Sequence, residues 1–162
     1  MVELRDLEDA VDWVCSERGG DPDRIAIDGW SYGGFIAAYA LTHSKKFALG
    51  IAGGGVYDWQ LYDTIYTERY MSTPQLNSTG YRETSVIEAA KNLHGHLVLM
   101  HGARDDNVHM QNTMRLVDEL QRAGKVDFEL MLYPRARHGV RSRHKNRMIW
   151  RAIRENFGLG SS

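Results

Sequence analysis

The sequence predicts an α/β fold in which a mostly parallel sheet is covered by helices on both faces. Short apolar runs that suit strands alternate along the chain with longer segments whose apolar residues recur at helical spacing. The strand-like runs are continuously apolar, which is typical of parallel strands buried on both faces. The chain has 162 residues, of which 43% are hydrophobic, so it is long enough to bury one core.

The first half of the chain supplies two strands and two helices. Apolar residues at helical spacing from Leu4 to Val14 predict a helix over residues 2–18, and two glycines end it. The predicted elements that follow are a buried strand over residues 24–28, a buried helix over residues 35–43 and a strand over residues 47–55.

The second half continues the alternation after an irregular stretch. Residues 56–90 show no clear repeat, and within them only residues 62–71, rich in aromatic side chains, predict a helix. The remaining predicted elements are a strand over residues 96–100, a helix over residues 112–123, a strand over residues 128–133 and a helix over residues 145–157.

Composition limits the classes of partner and compartment. Lys and Arg number 20 against 21 for Asp and Glu, so net charge gives no reason to expect nucleic acid or a membrane as partner. Cys15 is the single cysteine of the chain, and no apolar run resembles a signal peptide or a membrane span. We therefore expect a cytoplasmic protein.

A Gly-x-Ser-x-Gly motif, from Gly29 to Gly33, lies between a predicted strand and a predicted helix. This context indicates a nucleophile on a sharp strand-to-helix turn, where flanking glycines avoid collisions with neighbouring backbone. The positive end of the following helix points at such a site and lets the Tyr32 amide stabilise an oxyanion. We expect Ser31 to be the nucleophile and the Tyr32 amide to be its oxyanion donor.

Candidates for the acid and the base follow two later strands. A serine hydroxyl needs a base to accept its proton and a carboxylate to orient that base. Asp105 follows the strand predicted at 96–100, and His138 follows the strand predicted at 128–133. The order Ser31, Asp105, His138 is that of the α/β-hydrolase fold. It predicts hydrolysis of an ester or peptide bond through an acyl-enzyme.

Each assignment has rivals. Asp106 is the alternative acid, since one of two adjacent aspartates can cap the following helix. His138 is favoured as the base because it follows the last strand and precedes a glycine, but three other histidines lie near these loops: His101, His109 and His144. The basic residues around His138 form either a solvated face or a surface that attracts carboxylates.

Metal and cofactor chemistry are not expected. The spacing of His94 and His96 suits two metal ligands, but no third ligand stands at a helical or hairpin spacing. The pair is better interpreted as the entrance to a strand. We predict no metal and no cofactor.

Several motifs follow one another along most of the chain: Gly29-Trp30-Ser31-Tyr32-Gly33-Gly34, the segment 62–71, His101-Gly102, Asp105-Asp106-Asn107-Val108-His109 and His138-Gly139. In residues and order they resemble the catalytic domain of the prolyl oligopeptidase family (peptidase family S9), in its dipeptidyl peptidase IV-like branch. The resemblance implies the C-terminal part of an α/β-hydrolase domain, with Asp105 rather than Asp106 as the acid.

The resemblance also implies a binding site for a small ester or peptide substrate. Asn107 would contact a substrate carbonyl. A small apolar pocket for proline or alanine would be lined by Tyr32, Val56, Trp59, Tyr62, Tyr66 and Val108. Without the resemblance, the helical spacing of Trp59, Tyr62 and Tyr66 suits either a core face or a pocket wall.

The chain also departs from the family. Full members carry a β-propeller and further strands, including a tyrosine that is a second oxyanion donor, and this chain has no match for them. We therefore expect one truncated domain over residues 1–158, a flexible tail over 159–162, and esterase-like or weak peptidase activity, since one lost oxyanion donor costs about a hundred- to a thousandfold in rate. The alternative is an inert, self-associating scaffold.

Self-association follows from hydrogen bonding. If the absent strands belong beside residues 24–28, that strand presents unpaired amides and carbonyls along an apolar edge. We expect a homodimer or a larger homo-oligomer that pairs through this sheet edge.

Overall fold

The structure, a computed structural model, describes residues 1–159 and contains one sheet in that range. Its strands are β1 (Ala26–Trp30), β2 (Leu49–Gly53), β3 (His96–Gly102) and β4 (Phe128–Tyr133). They lie in the order β1-β2-β3-β4, and every neighbouring pair is parallel. The predicted α/β class with a parallel sheet is confirmed.

Six α-helices connect and cover these strands within the described residues. They are α1 (Val2–Arg18), α2 (Tyr32–His43), α3 (Thr64–Met71), α4 (Ser78–Thr84), α5 (Gln111–Arg122) and α6 (Arg143–Phe157). Asp63 caps α3 and Ser142 caps α6, since each side chain accepts a hydrogen bond from a backbone N–H of the first turn. None of the helices in this range combines the length and the hydropathy needed to cross a bilayer.

The sheet buries a different apolar cluster on each face. In β3, Leu97 and Leu99 pack in the cluster that contains residues of α2 and α5. Val98 and Met100 alternate with them and pack against Met148 of α6 on the opposite face. Helices therefore cover both faces, as the apolar runs predict.

The register brings three loops together at the carboxyl ends of the strands. Trp30, the last residue of β1, is aligned with Gly53 of β2, and Gly53 is aligned with Met100 of β3. Met100 is in turn aligned with Met131, close to the end of β4. Because parallel strands end on the same side, the residues that follow β1, β3 and β4 converge there.

The predicted elements are present with ends shifted by up to three residues, and two differences have a clear physical reason. β1 begins two residues later than predicted and is partly exposed, because it lies at the edge of the sheet rather than within it. The second is α4, which had no clear apolar repeat to predict it; its first turn is capped by Asn77. Of the tail predicted at 159–162, residues 160–162 lie outside the described range.

Candidate active site

Ser31 occupies a strained turn between β1 and α2. Its φ is 61° and its ψ is −117°, a backbone conformation that costs a non-glycine residue about 1–3 kcal/mol. Its N–H donates to the Gly53 carbonyl of β2 at 2.8 Å, and its carbonyl accepts from the Phe35 N–H at 3.0 Å. The turn is thus tied to both the sheet and the helix, and such imposed strain is typical of a nucleophile turn.

Of the two motif glycines around Ser31, one meets the expected steric need and the other does not. A Cβ on Gly29 would lie 2.3 Å from the Gly33 backbone, which confirms a steric need at that position. A Cβ on Gly33 meets nothing within 4 Å, so the expected collision at Gly33 is wrong. The second close approach is at Gly34, where a Cβ would lie 2.4 Å from the Gly53 carbonyl.

The structure brings Ser31, Asp105 and His138 together, and we call these residues the triad. Ser31 Oγ lies 2.9 Å from His138 Nε2, and His138 Nδ1 lies 2.8 Å from Asp105 Oδ2. When Nδ1–H donates to the carboxylate, Nε2 is free to accept the serine hydroxyl proton. The Asp105 side chain is fully buried, whereas 26% of the His138 side chain is exposed.

Local hydrogen bonds orient the Asp105 carboxylate. Its Oδ1 accepts the backbone N–H groups of Asn107 and Val108, both at 3.0 Å. Asp106 instead forms an exposed ion pair with Arg137. Of the two neighbouring aspartates, Asp105 is therefore the one that contacts His138.

The loop that carries His138 is held against the ends of β1 and β3. The Trp30 indole N–H donates to the His138 carbonyl at 2.7 Å. The Arg104 N–H donates to the Ala136 carbonyl at 3.0 Å. Gly102 permits this approach, because a Cβ there would lie 2.2 Å from the Arg137 carbonyl. His138 is thus held through its own backbone as well as through its ring.

The rival histidines have other environments. His109 and His144 are exposed, and His144 packs edge-on against Tyr133. His101 is completely buried beneath Asp105. His96 pairs with Glu129, and residues 1–159 contain no group of three His, Cys, Asp or Glu side chains placed to hold a metal ion.

The Tyr32 side chain contacts residues outside the triad. Its hydroxyl donates to Glu3 Oε1 at 3.0 Å, and its ring is 41% exposed. Burial, together with the Glu3 carboxylate, raises the pKa of Tyr32 to about 12. The phenol therefore stays neutral over the physiological range.

An aromatic cluster lies beside Ser31, and it consists of Tyr32, Trp59, Tyr62, Tyr66 and Tyr70. Tyr66 stacks on Trp59 with ring centroids 6.0 Å apart, and Tyr62 meets Trp59 edge-on at the same distance. Tyr32 lies 6.1 Å from Trp59, and Tyr70 lies 5.0 Å from Tyr66. Centroid separations of this size are those of favourable aromatic pairs.

The residues predicted to bind substrate are distributed over two cavities and the core. Tyr32, Trp59 and Tyr66 line a cavity of about 480 Å³ that also involves Glu3 and Tyr70. Two further predicted residues, Tyr62 and Asn107, line a neighbouring cavity of about 740 Å³. The Tyr62 hydroxyl donates to Asn107 Oδ1 at 2.8 Å.

The two predicted valines lie beneath this surface. Val56 is 2% exposed and Val108 has no exposed surface. Both belong to the buried apolar core and therefore offer almost no contact surface in this conformation.

Comparison with known proteins places this geometry in a family. A sequence model described as the prolyl oligopeptidase family matches residues 1–159. The chain belongs to the prolyl oligopeptidase family. The resemblance stated from the motifs is thereby confirmed.

Individual relatives of the chain agree with this family assignment. It is 43% identical over 154 residues to a protein of Botryotinia fuckeliana named "Probable dipeptidyl-aminopeptidase B", covering 91% of this chain and 16% of the relative. A protein of the same name from Sclerotinia sclerotiorum is 44% identical over 154 residues, with the same coverage.

A solved structure also matches closely. The crystal structure of Porphyromonas gingivalis dipeptidyl peptidase 4 superposes with a TM-score of 0.87 at 35% identity, covering 96% of this chain and 22% of that one. The chain therefore spans about a sixth to a fifth of the length of these relatives.

Sequence reasoning missed some residues of this prolyl oligopeptidase family site. Tyr70 follows Tyr66 by four residues on α3, and that helical spacing could have added it to the cluster. Glu3 contacts Tyr32 from α1, and Trp30 holds the His138 loop. These contacts join residues that are far apart in the chain, and no local pattern in the sequence predicts them.

Proposed function

We propose that this chain is a serine hydrolase that cleaves ester or peptide bonds through an acyl-enzyme on Ser31. The observation that carries the proposal is the hydrogen-bonded series from Ser31 Oγ through the His138 ring to Asp105, with distances of 2.9 and 2.8 Å. A hydroxyl that donates to an imidazole, itself oriented by a carboxylate, is an activated nucleophile. Membership in the prolyl oligopeptidase family supports the same reaction class.

The proposed reaction has two halves. Ser31 Oγ attacks the substrate carbonyl carbon while His138 Nε2 takes the hydroxyl proton, and the Tyr32 amide at the start of α2 stabilises the oxyanion. His138 then protonates the leaving group as the carbonyl reforms, which leaves an ester on Ser31. A water molecule, deprotonated by His138, hydrolyses that ester and restores the hydroxyl.

We propose that the aromatic cluster selects a small apolar residue, such as proline or alanine, next to the cleaved bond. The cavity of about 480 Å³ has rigid aromatic walls at Tyr32, Trp59 and Tyr66, and such walls suit a compact apolar group. The relatives are named dipeptidyl-aminopeptidase and dipeptidyl peptidase, and these names support peptides as the substrates.

Asn107 is the proposed contact to a substrate carbonyl. Because the Tyr62 hydroxyl donates to Asn107 Oδ1, the amide group directs its NH₂ donors elsewhere. Tyr62 therefore orients Asn107 as a hydrogen-bond donor, which is the role that a carbonyl ligand requires.

For the 162-residue chain by itself, we propose faster turnover of small activated esters than of peptides. The Tyr32 amide is the one oxyanion donor assigned in this chain, and a missing donor costs about a hundred- to a thousandfold in rate. An ester with a good leaving group tolerates that cost better than an amide does.

A nitrophenyl ester tests the proposed function. We expect an initial burst of nitrophenol equal to the concentration of active sites, followed by slower turnover, because acylation by an activated ester is faster than hydrolysis of the acyl-enzyme. Ser31→Ala removes the nucleophile and should abolish the burst. Equal rates for both proteins would overturn the proposal and favour an inert scaffold.

We also propose that the chain self-associates through the free edge of β1. β1 pairs with β2 alone among the described strands. The Ile25 carbonyl and the Ser31 N–H bond toward β2, so the alternate residue Ala26 directs its peptide groups to the free edge. An unpaired edge is a template for another strand.

Sedimentation velocity tests the self-association. We expect the wild-type chain to form dimers or larger species as its concentration rises, and Ala26→Pro to stay monomeric, because proline removes an edge donor. Ile25 is already in the extended region that a following proline requires. A wild-type chain that is monomeric at high concentration would contradict the proposal.

A further inference from the structure

A second histidine is buried against the proposed catalytic acid. His101 belongs to β3, and its side chain has no exposed surface. Its Nε2 lies 2.8 Å from the Val108 carbonyl and 3.2 Å from Asp105 Oδ2, and its Nδ1 lies 2.6 Å from Thr113 Oγ1. Each ring nitrogen therefore has a partner, although the mechanism above gives this ring no task.

The partners of His101 fix its tautomer. The Val108 carbonyl can only accept a hydrogen bond, so Nε2 carries the proton. Nδ1 is then the acceptor, and the Thr113 hydroxyl donates to it. Burial lowers the pKa of His101, which favours the neutral ring. Asp105 and His138 are the titratable groups that act on it.

The His101 ring acts on Asp105 by two routes. Its N–H donates to the Val108 carbonyl, and the same Nε2 lies 3.2 Å from Asp105 Oδ2. The N–H of the same Val108 donates to Asp105 Oδ1. His101 thus holds the turn that orients one carboxylate oxygen and also contacts the other oxygen, which accepts His138 Nδ1–H.

We propose that His101 is a positioning residue, which sets the orientation of the Asp105 carboxylate and, through it, of the His138 ring. This inference rests on the proposed function of the triad. Partners behind a functional side chain fix its orientation and tautomer, and losing one in metal sites costs about 10- to 100-fold. In this case the supporting network is a buried series from Thr113 through His101 and Asp105 to His138.

A pair of variants separates positioning from mere packing. His101→Leu removes the N–H donor but keeps an apolar volume, whereas His101→Gln can place an amide N–H near the position of Nε2. We expect His101→Leu to lower kcat about 10- to 100-fold with KM little changed, and His101→Gln to recover most of that loss. Rates are expressed per active site, counted by titration with a fluorophosphonate.

The pH profile is the readout that packing alone would not change. Without the His101 N–H, more of the negative charge of Oδ2 faces His138, which favours the protonated imidazole. The acid limb of kcat/KM should therefore move to higher pH in His101→Leu and return in His101→Gln. An unchanged kcat per active site and an unchanged limb in His101→Leu would overturn the proposal.

A measurement without substrate keeps this test independent of turnover. In the wild-type chain, ¹⁵N spectra at neutral pH should report His101 as a neutral ring protonated at Nε2, because burial lowers the pKa of His101 from its ordinary value near 6.5. A ring protonated at Nδ1, or a cationic one, would contradict the inference even if no variant of His101 folds. If the tautomer is as expected but the wild-type chain shows no Ser31-dependent turnover, the proposed function fails instead.

Discussion

The acid–base side and the pocket side of the site are built in opposite ways. Asp105 and His101 have fully buried side chains whose polar atoms contact hydrogen-bonding partners. On the pocket side, Tyr66 and Tyr70 are 40% and 69% exposed, and they contact neighbours ring to ring. Directional bonds therefore fix the groups that we propose move protons, while less directional stacking shapes the surface that we propose selects substrate.

This difference predicts separate kinetic effects. Substitutions on the acid–base side should lower kcat, because they change the geometry of the reacting groups. Substitutions on the pocket side should raise KM, because they remove contacts to the ground state and the transition state alike.

The largest effect is expected at the buried acid. Asp105→Asn should lower kcat toward a nitrophenyl ester by about 10⁴-fold, because the neutral amide favours the wrong tautomer of the base. The exposed neighbour supplies the matched control, since Asp106 contacts Arg137 and not His138. Asp106→Asn should leave kcat within about threefold, since exposed ion pairs contribute little. Similar losses in both variants would remove the distinction between the two aspartates.

Substitutions of two glycines beside Ser31 should have opposite effects on the free energy of unfolding. Gly29→Ala places a Cβ against the Gly33 backbone and should lower the free energy of unfolding by about 1–3 kcal/mol or more. Gly33→Ala meets no atom within 4 Å and replaces a glycine of α2, so it should raise that free energy by about 0.5–1 kcal/mol. Urea midpoints at constant m-value measure both changes. Equal destabilisation by both variants would show that Gly33 is as crowded as Gly29.

On the pocket side, Tyr66→Ala should raise KM with kcat nearly unchanged. An aromatic pair contributes about 0.5–1.5 kcal/mol, which corresponds to roughly a two- to tenfold change in KM for a substrate with proline beside the cleaved bond. Ile65→Ala is the control, since Ile65 is on the same helix but 87% exposed. A fall in kcat with unchanged KM in Tyr66→Ala would contradict the assignment of the cluster to binding.

The smallest effect concerns the phenol of Tyr32. An unfolded chain releases the tyrosine proton near pH 10, whereas folding raises the pKa of Tyr32 to about 12. The folded state then binds more protons at Tyr32, so the contribution of Tyr32 to stability is constant below about pH 10 and is lost between about pH 10 and 12. Glu3→Gln should lower the pKa of Tyr32 toward 10, measured by the ultraviolet absorbance of tyrosinate. An unchanged titration would show that burial alone sets the shift.

Much of the fold is predictable because its segments are locally consistent. The helix at 2–18 has apolar spacing and a glycine end, and α1 matches it residue for residue. The strand at 128–133 matches β4 in the same way. The bounds and burial of β1 were predicted less well. A continuous apolar run does not distinguish a central strand from a strand at the edge of the sheet.

The arrangement of the triad is predictable for a topological reason. Residues that follow parallel strands meet at the carboxyl ends of those strands, so three loops that are far apart in the chain form one cluster. The support for that cluster is not predictable in this way. The contacts of His101 with Val108 and of Trp30 with His138 depend on tertiary packing, and a pattern of residue types does not encode such distances.

Covalent labelling tests the assignment of Ser31 as the nucleophile most directly. After incubation with a fluorophosphonate, peptide mass spectrometry should find the phosphonyl group on Ser31, and His138→Gln should greatly reduce the labelling rate because the base is lost. Labelling of other serines alone, or equal rates in both proteins, would contradict the assignment of Ser31 as a nucleophile activated by His138.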